Sequence, residues 1–481
     1  VPENQAPNDD NRMDDNAAAR AAEAVAVRTA VRRFGWNATS SQVLEPAFAH
    51  WWSPADAGAG DTNGDAGPRC VAYVDTGAAW VAAGAPLAEE QRLAPIAHAF
   101  IAAARAAGRR ACFFATEQRF ALHAPELRAL LIGEQPIWDP SSWPQALASS
   151  RDLREQLRRA RAKGVTVRPL APDEVAPGTA TRAALEALIA RWQRRRPMPP
   201  MGFLVAVHLF DMAGERRLFV AEVRGEVRAL LAAVPVHARN GWLFEDLIRD
   251  PAAPNGCVEL LVDHAMRACA RAGSSYVTLG LSPLSGAVPP WLRSAGALGA
   301  GFFDFAGLRA WKAKMRPHAW DAIYLVYPDG RGAGLRAVAD ALAAFAHGGL
   351  LRFGLRTLLR GPAVLIRLLA FLLVPWTLLL ALPVARPFFP SRAVQLAWVA
   401  LDLGLLAGFA ALMRRWRTAL GTVLALAVTA DAVVTAIEAA VYNLPRVHGP
   451  VTAGLIALAV TGPALAAVLL WGACWRTRAS T

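Results

Sequence analysis

The sequence predicts an α/β protein built from two similar-sized α/β blocks over residues 36–330, followed by four membrane-crossing helices over 363–475. Short β-type apolar runs alternate with helical periodicities through the first part, and four long apolar stretches close the chain. Charge divides the same way. The chain has 481 residues, 54% of them hydrophobic, and a formal charge of +13. Beyond residue 350, 12 arginines face only Asp402, Asp431 and Glu438, so +9 of that charge flanks the apolar stretches. The headline charge therefore gives no ground for a nucleic-acid-binding class.

Residues 1–35 open with V-P-E-N-Q-A-P-N-D-D-N-R-M-D-D-N, which has no apolar core and no secretory h-region, and read as a disordered tail. In the first block, 36–168, C-V-A-Y-V at 70–74, A-A-W-V-A at 78–82 and A-C-F-F-A-T at 111–116 read as strands, and 89–107 as a helix. A basic helix follows at 150–163, with Arg151, Arg154, Arg158 and Arg161 along one side. The second block, 169–330, starts at the linker-like P-L-A-P-D-E-V-A-P-G-T. A helix at 181–195, a strand F-L-V-A-V at 203–207 and a hairpin joined at Arg224-Gly225 come next. Then W-L-F-E-D-L-I-R leads to Asn255-Gly256, after which Val258, Leu261, Val262, Ala265 and Cys269 share one helical face before Y-V-T-L-G-L. Strand, turn and helix start in this order can frame an anionic or carbonyl-bearing ligand.

The apolar spans are 363–385, 394–413, 418–444 and 451–475. Arginines 352, 356, 360, 414, 415, 417, 476 and 478 outweigh those in the opposite loops, which places both ends and the α/β blocks on the cytoplasmic side. Asp402, Asp431 and Glu438 read either as a polar route or headgroup site, or as acids that pair with one another or lie near an interface. The connector, 331–362, repeats arginine every four positions at Arg352, Arg356 and Arg360, as a basic helix on an anionic leaflet or an extension of the first span.

Chemistry concentrates in few places. The five cysteines are widely spaced and read as buried thiols; no disulfide framework, metal site or cofactor is expected. In E-D-L-I-R, a helical turn would point Asp246 and Arg249 the same way, as a clamp on a polar substrate or a local ion pair, with Glu245 facing elsewhere. Glu259 is a further candidate acid, in a first helical turn where the dipole favours it in any case. In F-D-F-A-G-L-R-A-W-K-A-K-M-R-P, a helix would align Arg309, Lys312 and Arg316 as an anion site or a solvated basic face, with Lys314 pointing away.

G-L-S-P-L-S-G at 280–286 and F-A-G-L-R-A-W-K-A-K-M-R-P-H-A-W-D-A-I-Y-L-V-Y-P at 305–328, after E-D-L-I-R, resemble the catalytic region of lysylphosphatidylglycerol synthases, the phosphatidylglycerol lysyltransferase C-terminal domain family. The resemblance implies two tandem acetyltransferase-like (GNAT) domains at the cytoplasmic face of a bacterial inner membrane. It implies transfer of an aminoacyl group from aminoacyl-tRNA to the hydroxyl of phosphatidylglycerol. Asp246 and Arg249 match the D-L-x-R element, Lys312 and Lys314 the x-K-x-K element, and the basic helix a segment suited to tRNA. Asn255 and Gly256 are candidates for presenting backbone amides. W-Q-R-R-R-P-M-P-P-M-G-F, from Trp192 to Phe203, has no acid where lysine-using members carry one, and the apolar spans follow the catalytic region where the family's flippase precedes it. The alternatives are an acyltransferase using acyl-CoA and a non-catalytic lipid- or RNA-binding module.

Overall fold

From the N-terminus, α1 (Asp9–Phe34) leads to β1 (Ala49–Trp52), β2 (Cys70–Asp75) and β3 (Ala79–Ala83). These are followed by α2 (Leu93–Ala106), β4 (Arg110–Glu117), α3 (Gln118–His123) and β5 (Arg128–Trp138). Next come α4 (Trp143–Ser149), α5 (Arg151–Ala162), β6 (Val165–Leu170) and α6 (Ala180–Arg195). The structure is a computed structural model and describes residues 9–54, 68–196, 199–211, 214–299, 303–347, 349–350, 352–354, 357, 362–414, 417–447 and 449–479. The stretch expected as a disordered tail is helical from Asp9, and Val27, Ala30, Val31 and Phe34, on one face near its end, are buried in the core. The block boundary expected at 168 falls inside β6, because β6 pairs along its whole length with the hairpin strand that follows.

That hairpin is β7 (Arg217–Val223) and β8 (Glu226–Val236), turning at Arg224 and Gly225 with φ of 54° and 77°. Positive φ at both central residues is the hairpin turn whose twist matches the strands. The expected strand at 203–207 is instead a 3₁₀ turn, Phe203–Val205, because Phe203 drops into an aromatic cluster with Phe48, Phe114 and Phe345. Then β9 (Gly241–Arg249), α7 (Cys257–Arg271), β10 (Tyr276–Thr278), β11 (Ser282–Pro283), α8 (Pro290–Gly299), α9 (Phe305–Lys314), β12 (Ala319–Tyr327) and α10 (Ala333–Phe345) complete the α/β part.

One sheet of 12 strands carries this part, in the order β1-β2-β3-β4-β12-β5-β10-β9-β8-β7-β6, with β11 on β5. Each half contains a strand–helix–strand unit with parallel strands, β3-α2-β4 and β9-α7-β10. The closing strands are exchanged: β5 joins β10 of the second half, β12 joins β4 of the first, and β5 and β12 pair with each other from Ala319↔Ile137 to Tyr327↔Arg128. The exchange fuses the two expected blocks, so residues 1–196 and 200–350 cluster as one unit.

The second unit contains α11 (Pro362–Ala381), α12 (Arg392–Arg414), α13 (Thr418–Glu438) and α14 (Pro450–Ala479). The sequence predicts four membrane-crossing helices; among the described residues three are long and apolar enough, Arg392–Met413, Thr418–Arg446 and Thr452–Trp475. The first expected span is not among them. The charge-free apolar part of α11 runs only over Leu368–Ala381, between Arg367 and a 3₁₀ turn beginning at Pro383. That is about 21 Å of helix at ~1.5 Å per residue, against the ~30 Å of a bilayer's hydrocarbon core. Asp402, Asp431 and Glu438 bond to Thr377, Thr435 and Trp398 rather than to one another. Arg356 and Arg360 lie outside the described residues.

Candidate functional site

The site begins with a register shift. Opposite β8, Asp246 pairs with Ala232 and Phe244 with Ala233, so Glu245 is an extra residue bulged out of the β9 ladder. Phe244 and Leu247, three apart, consequently both face the α7 side, in a core with Met266 and Val277. Glu245 and Asp246 are turned toward the opposite face, which Ile248 shares with Leu185 and Leu188 of α6. The expected helical turn is therefore a bulged strand, with two corrections. Glu245 does not face away from Asp246, and Arg249 points to the α7 side, donating to the Ala253 carbonyl at 2.7 Å and to Asn255 at 3.2 Å.

Around the bulge lies a buried charge cluster. The Arg216 guanidinium, 0% exposed, bonds Glu45 at 3.0 Å and Glu245 at 2.9 Å, and its other arm donates to the His208 carbonyl. Gln42 Nε2 donates to Glu245 at 2.7 Å and to the Leu204 carbonyl at 3.0 Å. Glu45 and Gln42 come from the segment between α1 and β1, so residues far apart in the chain meet at the β9 bulge. Asp246 Oδ2 is buried with no hydrogen-bond partner among the described residues. Burial, with Glu245 adding repulsion, pushes its carboxyl up to about 7 despite Arg216 and Arg196. The same two causes raise Glu45 to about 8 against the pull of Arg216. Arg196 rests over the Trp192 ring, 4.2 Å from its centroid. Such a cluster holds more negative than positive groups out of water and offers one unsatisfied oxygen, which suits it to take a proton or a cation.

The neighbouring strands open at the same level. β10 runs parallel to β9 only from Tyr276 to Thr278, then leaves the ladder at Gly280 to feed β11. Lys312 of α9 caps the backbone freed there. Its ammonium, 4% exposed, donates to the carbonyls of Gly280 at 2.8 Å and Leu281 at 2.9 Å, and burial pulls its pKa down to about 7. Its third N–H has no acceptor among the described residues.

The other candidates are distributed around this centre. Glu259 accepts the Trp311 indole N–H at 3.1 Å, tying α7 to α9. Arg309 stacks over Trp320 with its guanidinium 3.2 Å from the ring centroid and reaches Glu134 at 3.5 Å. α9 stops at Lys314, so Arg316, at φ 54°, lies beyond the helix and off the face expected to align it with Arg309 and Lys312; both Lys314 and Arg316 are exposed. Gly256 caps α7 at φ 89°, where a Cβ would sit 2.5 Å from the Gln156 carbonyl of α5. Arg151, Arg154 and Arg158 are exposed on α5, Arg158 beside Glu155, while Arg161 pairs with the buried Asp263 at 3.0 Å. Local spacing gives no sign of Glu45, Gln42, Arg196 or Arg216 as site residues. Glu45 lies in an otherwise uncharged run and Arg216 in a charged one, and neither spacing points to the other.

A bulged strand that separates from a short parallel neighbour at their C-terminal ends, with a carboxylate at the bulge, gives this α/β unit GNAT-like features. The profile of the phosphatidylglycerol lysyltransferase C-terminal family matches residues 48–327, and the chain belongs to that family. Among curated relatives, the lysylphosphatidylglycerol biosynthesis bifunctional protein LysX of Mycobacterium sp. (strain JLS) is 29% identical over 194 residues, 38% of this chain and 17% of its own length. LysX of Mycolicibacterium gilvum (strain PYR-GCK) is 31% identical over 183 residues, 36% of this chain and 15% of its own. The chain thus spans about a sixth of those relatives. Two solved structures share the fold. L-PGS from Bacillus licheniformis has TM-score 0.55 and 21% identity, over 69% of this chain and 97% of its own. A C-terminal domain assigned to a lysylphosphatidylglycerol synthetase from Agrobacterium fabrum has TM-score 0.55 and 22% identity, over 68% and 98%.

Proposed function

We propose that this protein transfers an aminoacyl group from aminoacyl-tRNA to the hydroxyl of phosphatidylglycerol at the cytoplasmic face of a bacterial inner membrane. The observation that carries the reading is the buried, unpartnered carboxylate oxygen of Asp246 at the β9 bulge, in a chain belonging to this family. In the reaction the lipid hydroxyl oxygen attacks the ester carbonyl carbon, a new C–O bond forms, and the bond to the tRNA ribose oxygen breaks. The hydroxyl proton leaves the lipid and ends on that ribose oxygen. A carboxyl held near 7 can accept and return a proton at neutral pH, and its negative surroundings also suit a substrate amino group.

Lys312 acts as a positioning residue, holding the 280–281 backbone in the conformation that opens β10 from β9. Arg249 orders the loop before α7 through Ala253 and Asn255, and Glu259 seats α9 through Trp311. Lys314 and Arg316, exposed at the end of α9, are the cations suited to a lipid or tRNA phosphate, and Arg151, Arg154 and Arg158 to the tRNA backbone.

The test is expression in a bacterium lacking aminoacyl lipids, labelling with single amino acids, and resolution of the lipid extract. A labelled phospholipid whose formation in a cell-free assay is abolished by RNase supports the proposal. A product formed from acyl-CoA, with none from any aminoacyl-tRNA, refutes it.

A further inference from the structure

We infer that the outer face of α10 is a lipid-docking surface that seats the α/β unit on an anionic bilayer. The helix is firmly held from behind. Ala337, Ala341 and Ala344 lie in the core, and Asp340 takes two bonds from Arg110 at 2.8 and 2.6 Å. Its outward face is therefore a fixed surface and not a fraying turn.

That face is apolar where a soluble helix is ordinarily polar. Leu335 is 65% exposed and Leu342 53%, seven residues apart, with exposed Ala339 between them. At two turns' spacing the leucines form one stripe. Single exposed leucines are ordinary; an aligned pair on an anchored helix marks a contact surface. Arg331 and Arg336 flank the stripe, both exposed and with no acidic partner among the described residues. The one acid on α10, Asp340, is turned inward to Arg110, and nearby Asp329 is taken by Arg128 at 3.0 Å.

Charge and chain path choose the occupant. Leucines framed by arginines complement a leaflet whose anionic headgroups overlie an acyl boundary. A second copy would set like charge against like. Beyond α10 the chain carries Arg352, Arg356 and Arg360 with no acid, then enters the apolar helix beginning at Leu368. In chain order, α10 is thus followed by the part of the sequence that is apolar enough to enter a membrane.

The full chain in nanodiscs tests this. The five native cysteines are buried, so Leu335→Cys, Leu342→Cys and, as a control, Leu122→Cys, 67% exposed on α3, can each carry one bimane. In discs of phosphatidylglycerol and phosphatidylethanolamine, brominated acyl chains should quench bimane at 335 and 342 at least ~2-fold more than at 122. The excess should fall in phosphatidylcholine discs and in Arg331→Gln/Arg336→Gln. Quenching at 335 and 342 no greater than at 122 overturns the inference, whether protein or water covers the stripe. Quenching that ignores both lipid charge and the arginine substitutions overturns its electrostatic half. Neither readout depends on catalytic activity.

Discussion

If Asp246 is ionised only against burial, removing its charge should stabilise the protein while abolishing its activity. The carboxyl rises from an ordinary 3.8 to about 7 in the folded state, so the fold binds a proton that the unfolded chain releases at lower pH. Stability from this group is complete below about 4 and is lost as pH climbs through about 7. That rise corresponds to a ceiling of about 4 kcal/mol at pH 8, at ~1.36 kcal/mol per tenfold change in the proton equilibrium. Asp246→Asn keeps the shape and discards the charge. Thermal unfolding of the full chain in detergent should therefore show the variant more stable at pH 8 by several degrees, with the gap closing toward pH 4. Aminoacyl transfer should fall ~10²–10⁴-fold, the range for loss of a general acid–base group. Equal midpoints at pH 8, or a gap that widens on acidification, would refute the burial argument. Full activity in the variant would refute the assignment of the proton to Asp246.

Arg216→Met leaves Glu45 and Glu245 buried without their shared cation and should cost ~3–5 kcal/mol, read as a lowered unfolding midpoint that acidification partly restores. Lys312→Ala orphans the carbonyls of Gly280 and Leu281; a loss of ~1–3 kcal/mol for each buried unpaired group should appear as faster amide exchange across 280–284. Gly256→Ala forces a Cβ against the Gln156 carbonyl at positive φ, and a loss of more than ~1 kcal/mol with loosened α5–α7 packing is expected in denaturant titrations. Arg151→Gln with Arg158→Gln should weaken tRNA binding and flatten its salt dependence by roughly 0.7–0.9 in log–log slope for each phosphate no longer neutralised.

Elements with a strong local period were legible. The α7 face, the β7–β8 hairpin at Arg224-Gly225 and the α9 helix all follow from residue spacing and turn chemistry. What failed depended on distant pairing. E-D-L-I-R reads equally as helix or strand, and only the β8 ladder creates the bulge that turns Glu245 and Asp246 to one side. Arg216 and Glu45 are 171 residues apart, and no local rule joins them. The first hydrophobic span was overcounted because its apolar composition reads across Arg367 at one end and past Ala381, into the turn that begins at Pro383, at the other. The N-terminal helix was missed because its polar first half hides four buried residues near its end.

The exchanged strands explain why the site needs the whole α/β unit. β9 and β10 supply the bulge and the opening, but β10 is held on its far side by β5, a strand that arises before α5, and β5 in turn is locked to β12. Glu45 and Gln42 approach the bulge from before β1 and Lys312 from after β11, so the charge cluster and its neighbouring loop draw on both ends of the unit. Residues 169–330 alone would retain Asp246 and Arg249 yet lose Glu45, Gln42 and the β5 edge. The Asp246 carboxyl would then lose part of the burial that raises it and drop toward its ordinary value. The proton affinity on which the proposed chemistry rests is thus a property of the fused unit, whose packing holds Asp246 out of water beside Glu245.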